Sequence, residues 1–356
     1  MRYVLDLSKA TKASFNKVGG KNANLGEMLN KGGIRIPPGY AVTTDAYLDF
    51  INKNGIVEEL YYLLAGTDPA DLDALEGVSQ KIREMIETSQ MPEDIEAEIR
   101  ESYALLEGTC NVTDLPVAVR SSATAEDLPN ASFAGQQDTY LWMKGPDQVV
   151  KAVQKCWSSL FTARAISYRA KNNFPHEQVL ISVGVQKMVN AKVSGVMFTI
   201  NPTNGDPSQI VIEGSWGLGE AVVSGNVTPD NFMVDKIMGD VTSQRISFKH
   251  IECIPCRDTG GVKEIHISPE RQNISCMDKK EIRELAKIAK QIENYCGCPQ
   301  DIEWAIDYDY SFPENVFIVQ NRPETVWSQK KVEPLLASKS CHDLLMERAL
   351  KVIRVS

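Results

Sequence analysis

A segment near the N-terminus has the side chains and flexibility of a phosphate site. Gly19 and Gly20 stand directly before Lys21 and a predicted helix N-terminus. Glycines let the backbone approach a ligand closely, and the free N–H groups and dipole of a helix N-terminus favour an anion. A plain glycine turn with a solvated lysine explains the segment equally well. It is not a Walker A loop, because Phe15 replaces the first glycine and Asn22 replaces the hydroxyl residue.

Arg120 marks a second candidate phosphate site. It ends a predicted strand and opens a loop rich in hydroxyl and acidic side chains. The planar guanidinium suits phosphate oxygens, and the hydroxyls of Ser121 and Ser122 would add donors around it. Further along this loop, Gly135 again permits close approach to a ligand. A capping turn is the simpler alternative, but an arginine followed by two serines at a strand end favours a functional site.

Carboxylates and an arginine recur in two predicted strands near the C-terminus. Strand alternation puts Asp301, Glu303 and Ala305 on one face, and the later strand carries Gln320 and Arg322. A carboxylate opposite such a strand offers Mg²⁺ an oxygen ligand beside an arginine for phosphate. The alternative is an exposed acidic edge strand with a cross-strand ion pair.

Two elements between these segments contribute weaker candidates. A predicted helix at residues 148–171 has an apolar stripe, and Arg164 lies close enough to it to be drawn inward toward an anionic partner. An apolar strand at residues 181–189 carries one amide side chain, Gln186, and such a strand can flank a purine. A core strand is the more frequent explanation.

Cysteines and histidines do not form a persuasive metal or catalytic motif. Cys253 and Cys256 have the C-x-x-C spacing of a zinc knuckle, but Cys296 and Cys298 are only C-x-C. Zinc is therefore not favoured. The four histidines are isolated in sequence and are expected to be surface or hydrogen-bonded side chains.

The elements that must position these side chains interleave without a regular period. The sequence predicts helices at residues 23–30, 46–53, 72–89, 95–106, 148–171 and 278–295. It predicts strands at residues 116–119, 179–189, 193–200, 209–213, 232–234 and 316–320. This order favours an α+β (mixed α/β) fold with two lobes. A last amphipathic piece is expected at residues 344–353.

The composition limits the class of protein. With 356 residues, 43% of them hydrophobic, the chain can bury one or two substantial cores. A net charge of −9 argues against broad binding to nucleic acid. No uncharged apolar run approaches the roughly 20 residues of a membrane span, and no signal segment opens the sequence. We expect a cytoplasmic protein without a nucleic-acid or membrane partner.

Several segments in collinear order resemble the nucleotide-binding domain of phosphoenolpyruvate synthases and pyruvate phosphate dikinases. They are residues 19–21, 120–127, 132–136, 194–199, 213–220, 301–304 and 320–325. The resemblance covers about residues 15–328 and implies an ATP-grasp-type, two-lobed fold that holds ATP and Mg²⁺ between its lobes. We place the N-terminal lobe at residues 1–190, the C-terminal lobe at residues 191–330, and a linker or docking tail at residues 331–356.

Motif position within this resemblance implies a role for each candidate. Lys21, Arg120 and Arg164 would bind the phosphates, Gly135 and Thr139 would lie in the loop over them, and Gln186 would lie near the adenine. Glu303 and Gln320 would bind the metal, and Arg322 would lie beside the transferred group. Arg322, Lys21 and Arg120 would be the catalytic residues.

The resemblance also implies a partner. The family transfers a phosphoryl group from ATP to a histidine on a separate swivelling domain and releases AMP. This sequence has no Ser-His pair, so a histidine-bearing subunit would act in trans and pass the group to a small acceptor such as phenol or pyruvate, as in phenylphosphate synthase. A non-catalytic ATP-sensing module and a self-contained small-molecule kinase remain alternatives.

Overall fold

The computed structural model of the chain describes residues 1–31, 33–69, 71–124, 127–128, 131–132, 138–256 and 260–327. Contacts group Met1–Glu324 into one compact unit and assign Thr325–Ser356 to a second. Of this second unit, only residues 325–327 are described.

The described residues form fifteen strands, ten α-helices and four short 3₁₀ turns. The strands are β1 (Val4–Asp6), β2 (Gly39–Val42), β3 (Val117–Ala123), β4 (Asp127–Leu128), β5 (Ala131–Ser132), β6 (Thr139–Met143), β7 (Ile181–Lys187), β8 (Ala191–Phe198), β9 (Gln209–Trp216), β10 (Asp230–Asp235), β11 (Val241–Arg245), β12 (Ile251–Pro255), β13 (Val262–His266), β14 (Gln300–Asp307) and β15 (Val316–Pro323). The helices are α1 (Phe15–Lys31), α2 (Thr44–Lys53), α3 (Val57–Ala65), α4 (Leu72–Thr88), α5 (Glu93–Cys110), α6 (Gly145–Ser158), α7 (Ala163–Lys171), α8 (Glu220–Val223), α9 (Pro269–Gln272) and α10 (Lys279–Cys296). The 3₁₀ turns are Leu7–Lys9, Lys12–Ser14, Ser159–Phe161 and His176–Gln178.

The first large sheet has five antiparallel strands in the order β1-β2-β7-β3-β6. Side chains alternate between the two faces of the sheet along each strand. Val119 of β3 and Val185 of β7 therefore join a helix-covered core that includes Trp157. The neighbouring positions, among them Arg120 and Gln186, point to the opposite face. That face is the one that lines the cleft described below.

The second large sheet has six antiparallel strands in the order β11-β10-β9-β8-β14-β15. Helix α10 packs on one face of it, where Leu285 and Trp304 belong to the same buried cluster. The helix begins with a capping box formed by Asp278 and Glu281. The other face of the sheet turns Glu303 toward the cleft.

Helix α1 joins the two halves of the compact unit. Val18 and Ala23 pack in a small cluster with Leu7, whereas Leu25 and Met28 pack in the core beneath the second sheet. The helix is broken at Gly19, whose φ of 71° and ψ of 172° are not helical. A Cβ at this position would lie 2.2 Å from the carbonyl oxygen of Ser122, so only glycine allows this close approach.

The mixed α and β class predicted from the sequence is confirmed. The predicted helix at residues 148–171 is wrong as a single element, because a 3₁₀ turn at Ser159–Phe161 separates α6 from α7. The helix predicted at residues 23–30 is the second half of the longer α1. The piece predicted at residues 344–353 lies outside the described residues. None of the helices within the described part combines the length and apolar character needed to cross a membrane.

Candidate functional site

A cleft of about 880 Å³ lies between the open faces of the two large sheets. Seven of the nine predicted site residues line it: Lys21, Arg120, Thr139, Gln186, Glu303, Gln320 and Arg322. Gly135 lies outside the described residues, and Arg164 is not among the lining residues. The structure therefore brings together side chains that are up to 301 positions apart in the chain, Lys21 and Arg322.

Lys21 enters the cleft from the first turn of α1 after the break at Gly19. Its Nζ donates to the backbone oxygen of Ser121 at 3.2 Å. The backbone N–H of the next residue, Asn22, donates to Ser122 Oγ at 3.4 Å. These contacts hold the lysine beside the end of β3, which also carries Arg120.

Ser121 and Ser122 are not among the residues that line the cleft, so the structure does not support the expectation that their hydroxyls add donors around a phosphate there. Both side chains are buried. Ser121 Oγ donates to the carbonyl of Asp138, and Ser122 Oγ accepts from Asn22. They connect β3 to its neighbours and leave the lysine and arginine to face the cleft.

Arg120 reaches from the first sheet to the second. Its Nη1 lies 3.5 Å from Glu303 Oε2 and donates to the carbonyl of Val319 at 3.1 Å. Arg120 Nε is buried and has no hydrogen-bond partner within the described residues. In the strand register Arg120 lies opposite Thr139, so the predicted arginine and threonine are neighbours at this wall of the cleft.

The predicted pairing of the two C-terminal strands is confirmed. Asp301 is opposite Arg322 and Glu303 is opposite Gln320 in the β14–β15 register. After that pair the register shifts, which leaves Val319 as an extra residue in β15. This bulge presents the carbonyl that accepts the hydrogen bond from Arg120.

Asp301 and Arg322 form a tight cross-strand ion pair. Arg322 donates from Nε at 2.8 Å and lies 2.7 Å away through Nη2, both toward Asp301 Oδ2. Burial raises the pKa of Asp301 above its ordinary value, and the charge of Arg322 opposes that rise. The aspartate therefore fixes the guanidinium at the edge of the cleft.

Glu303 and Gln320 supply two side-chain groups with oxygen atoms. This is enough for a metal ion that arrives bound to a nucleotide, but too few for a metal ion held by the protein alone. They offer one carboxylate and one amide oxygen on adjacent strands. Within the described residues no group of three or more His, Cys, Asp or Glu side chains is placed to hold a metal. Mg²⁺ in nucleotide sites takes one or two protein oxygens together with phosphate oxygens and water.

Apolar side chains line the cleft on the side of Ala305, which lies two residues beyond Glu303 in β14. Val189, Ala191 and Leu218 belong to one buried cluster with Ala305 and also line the cleft. Gln186 is nearby, but its Nε2 donates to the carbonyl of Pro37 at 3.0 Å. Its amide is therefore already bound to the backbone.

Residues 218–220 and 223–224 line the cleft but were not predicted as site residues. Residues 218–220 belong to the glycine-rich stretch at residues 213–220, one of the segments that carry the family resemblance, and this was the signal that could have found them. Asp138 was missed as well, although it directly precedes the predicted Thr139.

The inward placement expected for Arg164 is wrong. Its side chain is exposed, and the buried arginine of α7 is Arg169, which donates to His176 Nδ1 at 2.8 Å and to the carbonyl of Leu160 at 2.6 Å. Because the turn before Ala163 breaks the helix, the apolar stripe of α6 does not continue in phase into α7. A phosphate-binding role for Arg164 stays a prediction.

Comparison with known proteins finds a family whose profile matches most of this chain. The family profile described as "Pyruvate phosphate dikinase, AMP/ATP-binding domain" matches residues 15–341. That domain has an ATP-grasp-like nucleotide-binding fold, which confirms the fold expected from the sequence motifs.

Three curated relatives carry similar names. The chain is 46% identical to a probable phosphoenolpyruvate synthase of Staphylothermus marinus, over 93% of this chain and 42% of that protein. It is 44% identical to a probable phosphoenolpyruvate synthase of Methanocaldococcus jannaschii, over 94% of this chain and 27% of that protein. It is 43% identical to the phosphoenolpyruvate synthase of Aeropyrum pernix, over 93% of this chain and 43% of that protein. The chain thus spans less than half the length of these relatives.

Proposed function

The chain belongs to the pyruvate phosphate dikinase AMP/ATP-binding domain family, and from that membership we propose that it uses MgATP to phosphorylate a histidine on a separate partner subunit. ATP, water and the histidine give AMP, phosphate and phosphohistidine. The partner then passes the phosphoryl group to a small acceptor such as phenol or pyruvate. The observation that carries this proposal is the convergence of Lys21, Arg120 and Arg322 with Glu303 in one cleft.

The charges in the cleft suit phosphoryl transfer, which depends mainly on positioning and on neutralising the phosphates. Lys21 and Arg120 come from the side of the first sheet, and Arg322 comes from the second. A triphosphate between the sheets would meet cations from both sides. Glu303 and Gln320 would hold Mg²⁺, which offsets phosphate charge when bound.

Arg120 would exchange partners when the nucleotide binds. It now contacts Glu303, and a phosphate would replace that carboxylate. Glu303 is then released toward the metal. The hydrogen bond from Arg120 to the Val319 carbonyl keeps the guanidinium at the same wall of the cleft during this exchange.

The three histidines of the described residues are not placed as phosphoryl acceptors in the cleft, which supports an acceptor outside them. His176, His250 and His266 do not line the cleft. His176 accepts a hydrogen bond from the buried Arg169, which commits its Nδ1 to the helical layer. His342 lies outside the described residues.

Transfer of label from β-³²P-ATP tests the proposal. The protein is incubated with Mg²⁺ and labelled ATP, with and without a separately expressed histidine-bearing subunit, and both AMP and acid-labile protein label are followed. Partner-dependent label on histidine together with AMP is expected. ATP binding without turnover with any partner would instead indicate a sensing module, and AMP or ADP formation with a small acceptor alone would indicate a self-contained kinase. A Lys21→Met variant is the control for turnover in this cleft.

A further inference from the structure

A buried polar network lies directly beneath Lys21 and is centred on Asn22. The Asn22 side chain is 3% exposed, and its Nδ2 donates to the carbonyl of Val18 at 2.9 Å and to Ser182 Oγ at 3.3 Å. Ser182 Oγ in turn donates to the carbonyl of Val42 at 2.7 Å. The network joins α1 to β7 and β2 inside the compact unit.

Asn22 spans the break in α1. Val18 precedes the non-helical Gly19 and Asn22 follows it, so their hydrogen bond crosses the break. The helical segment after Gly19 begins with N–H groups that lack partners within the helix. One of them, the backbone N–H of Asn22, donates to Ser122 Oγ. The side chain and the backbone of Asn22 thus both fix the turn that carries Lys21.

We propose that Asn22 is a positioning residue that fixes the direction in which Lys21 enters the cleft. Asn22 itself is not among the residues that line the 880 Å³ cleft, so it acts through its neighbour. This inference rests on the proposed function, because it takes Lys21 to be a phosphate ligand. A buried amide with its donors satisfied on two sides is a rigid support, since any rotation would leave buried polar groups unpaired.

Gly184 provides the space that the Asn22 amide occupies. A Cβ at Gly184 would lie 2.3 Å from Asn22 Oδ1, and the two next nearest atoms, at 3.3 and 3.5 Å, belong to the same amide. Gly184→Ala would therefore push the Asn22 side chain aside. If Asn22 is shortened to alanine, the same methyl group would fill the vacated space. The two substitutions can thus compensate each other in volume but not in hydrogen bonding.

This compensation separates positioning from packing. We would compare Asn22→Ala, Gly184→Ala and the double variant by thermal unfolding, by hydrogen exchange of residues 20–25 and by calorimetric titration with MgATP. The double variant is expected to regain most of the stability lost by Asn22→Ala. It should still bind MgATP about tenfold more weakly than the wild type, as expected for the loss of one buried hydrogen-bonded support, and should exchange faster at residues 20–25.

A matched control is available in α2. Asn52 Nδ2 also donates to a carbonyl four residues earlier, that of Leu48 at 2.8 Å, but at an exposed position. Asn52→Ala should leave exchange at residues 20–25 and MgATP affinity unchanged. Ser182→Ala, which removes an acceptor without altering α1, should change both measurements in the same direction as Asn22→Ala.

Wild-type MgATP affinity in the double variant would overturn the inference, because packing alone would then account for Asn22. Unchanged exchange at residues 20–25 in Asn22→Ala would overturn it as well. The exchange measurement needs no nucleotide. A wild-type protein that binds no MgATP would therefore refute the proposed function, while exchange would still decide whether Asn22 fixes the turn of Lys21.

Discussion

Arg120 and Glu303 face each other across the cleft from different sheets, with Arg120 Nη1 3.5 Å from Glu303 Oε2. Their side chains are 20% and 25% exposed, so each charge is partly removed from water and partly offset by the other. On the proposed function, a bare triphosphate would have to compete with Glu303 for the arginine. MgATP would offer a phosphate to Arg120 and a cation to Glu303 together, which would make the pair selective for the metal complex.

Substitution of Glu303→Gln should reduce the dependence of ATP binding on Mg²⁺. Removing the carboxylate frees Arg120 from its competitor and removes the charged metal ligand, so ATP in EDTA should bind more tightly than to the wild type. The ratio of ATP affinities with and without Mg²⁺ should fall by about tenfold, the size of one charged contact. Isothermal titration with MgATP and with ATP in EDTA measures this ratio.

Glu314 provides the control for that experiment. It forms an exposed ion pair with Arg35 and does not line the cleft. Glu314→Gln should leave both affinities unchanged. If Glu303→Gln kept the wild-type ratio, Glu303 would not be the carboxylate that couples Arg120 to the metal.

Breaking the buried ion pair between Lys249 and Asp230 should strongly destabilise the protein. Lys249 Nζ lies 2.6 Å from Asp230 Oδ1 and both side chains are 0% exposed. Asp230 also accepts from the backbone N–H groups of Ser247 and Cys276. Asp230→Ala would leave a buried ammonium without its carboxylate, at a cost of about 3–5 kcal/mol in the free energy of unfolding. Urea unfolding monitored by tryptophan fluorescence measures the change.

The exposed pair Arg283–Asp240 is the matched comparison, because both side chains are 63% exposed. Asp240→Ala should change the free energy of unfolding by less than about 1 kcal/mol. Similar losses in the two variants would mean that burial does not set the contribution of the Lys249–Asp230 pair.

His176 should make the fold sensitive to mild acid. Burial, and secondly the charge of Arg169, lower the pKa of His176 to about 4 from an ordinary 6.5. The unfolded chain therefore takes up the proton first. The contribution of neutral His176 to stability is fully present above pH 6.5 and is lost as the pH falls toward 4. Protonation would also turn His176 Nδ1 into a donor, so it would no longer accept the hydrogen bond from Arg169 Nε.

A His176→Gln variant isolates this effect, since glutamine can offer an acceptor to Arg169 without titrating between pH 4 and 7. As the pH falls through that window, we expect the free energy of unfolding of the wild type to decrease more than that of the variant. Urea unfolding at a series of pH values provides the data. A difference that is constant with pH would show that His176 keeps an ordinary pKa.

Local patterns predicted the elements that depend on neighbouring residues. Alternation in β14 correctly predicts that Asp301 and Glu303 share a face, and it predicts partners in β15 because the two strands are close in sequence. The start of α10 is likewise visible in Asp278 and Glu281, which form its capping box. The long-range juxtaposition of Arg120 and Glu303, 183 residues apart, followed from the family resemblance and not from spacing.

Other features depend on tertiary contacts that no local pattern reports. The break at Gly19 is imposed by the close approach of Ser122, 103 residues away. The choice of Arg169 over Arg164 as the buried arginine follows from the turn that resets the phase of α7. The extra residue at Val319 is set by the register of β14 on β15. At Gly19 a partner distant in sequence decides the local conformation, and no simple periodic pattern reports the turn before α7 or the bulge in β15.

Substitution of Arg322→Ala should abolish phosphoryl transfer while MgATP still binds. Asp301 holds the guanidinium beside Gln320 and Glu303, at the part of the cleft where the family resemblance implies the transferred group. Loss of an arginine that stabilises the transferring phosphoryl group lowers turnover by about 10³–10⁵-fold, whereas one lost contact to bound ATP costs about tenfold in affinity. Chromatographic measurement of AMP formation and calorimetric titration measure the two effects separately.

Stability needs its own control in this experiment. Asp301 is only 14% exposed, and Arg322→Ala leaves its carboxylate without a cation. The double variant Asp301→Asn with Arg322→Ala removes that charge and should restore the free energy of unfolding without restoring transfer. Arg322→Lys keeps the charge but lacks the planar fork, so it should recover only part of the activity. If Arg322→Ala lost ATP binding and phosphoryl transfer to the same extent, Arg322 would be a ligand of the bound nucleotide and would not specifically stabilise the transferring phosphoryl group.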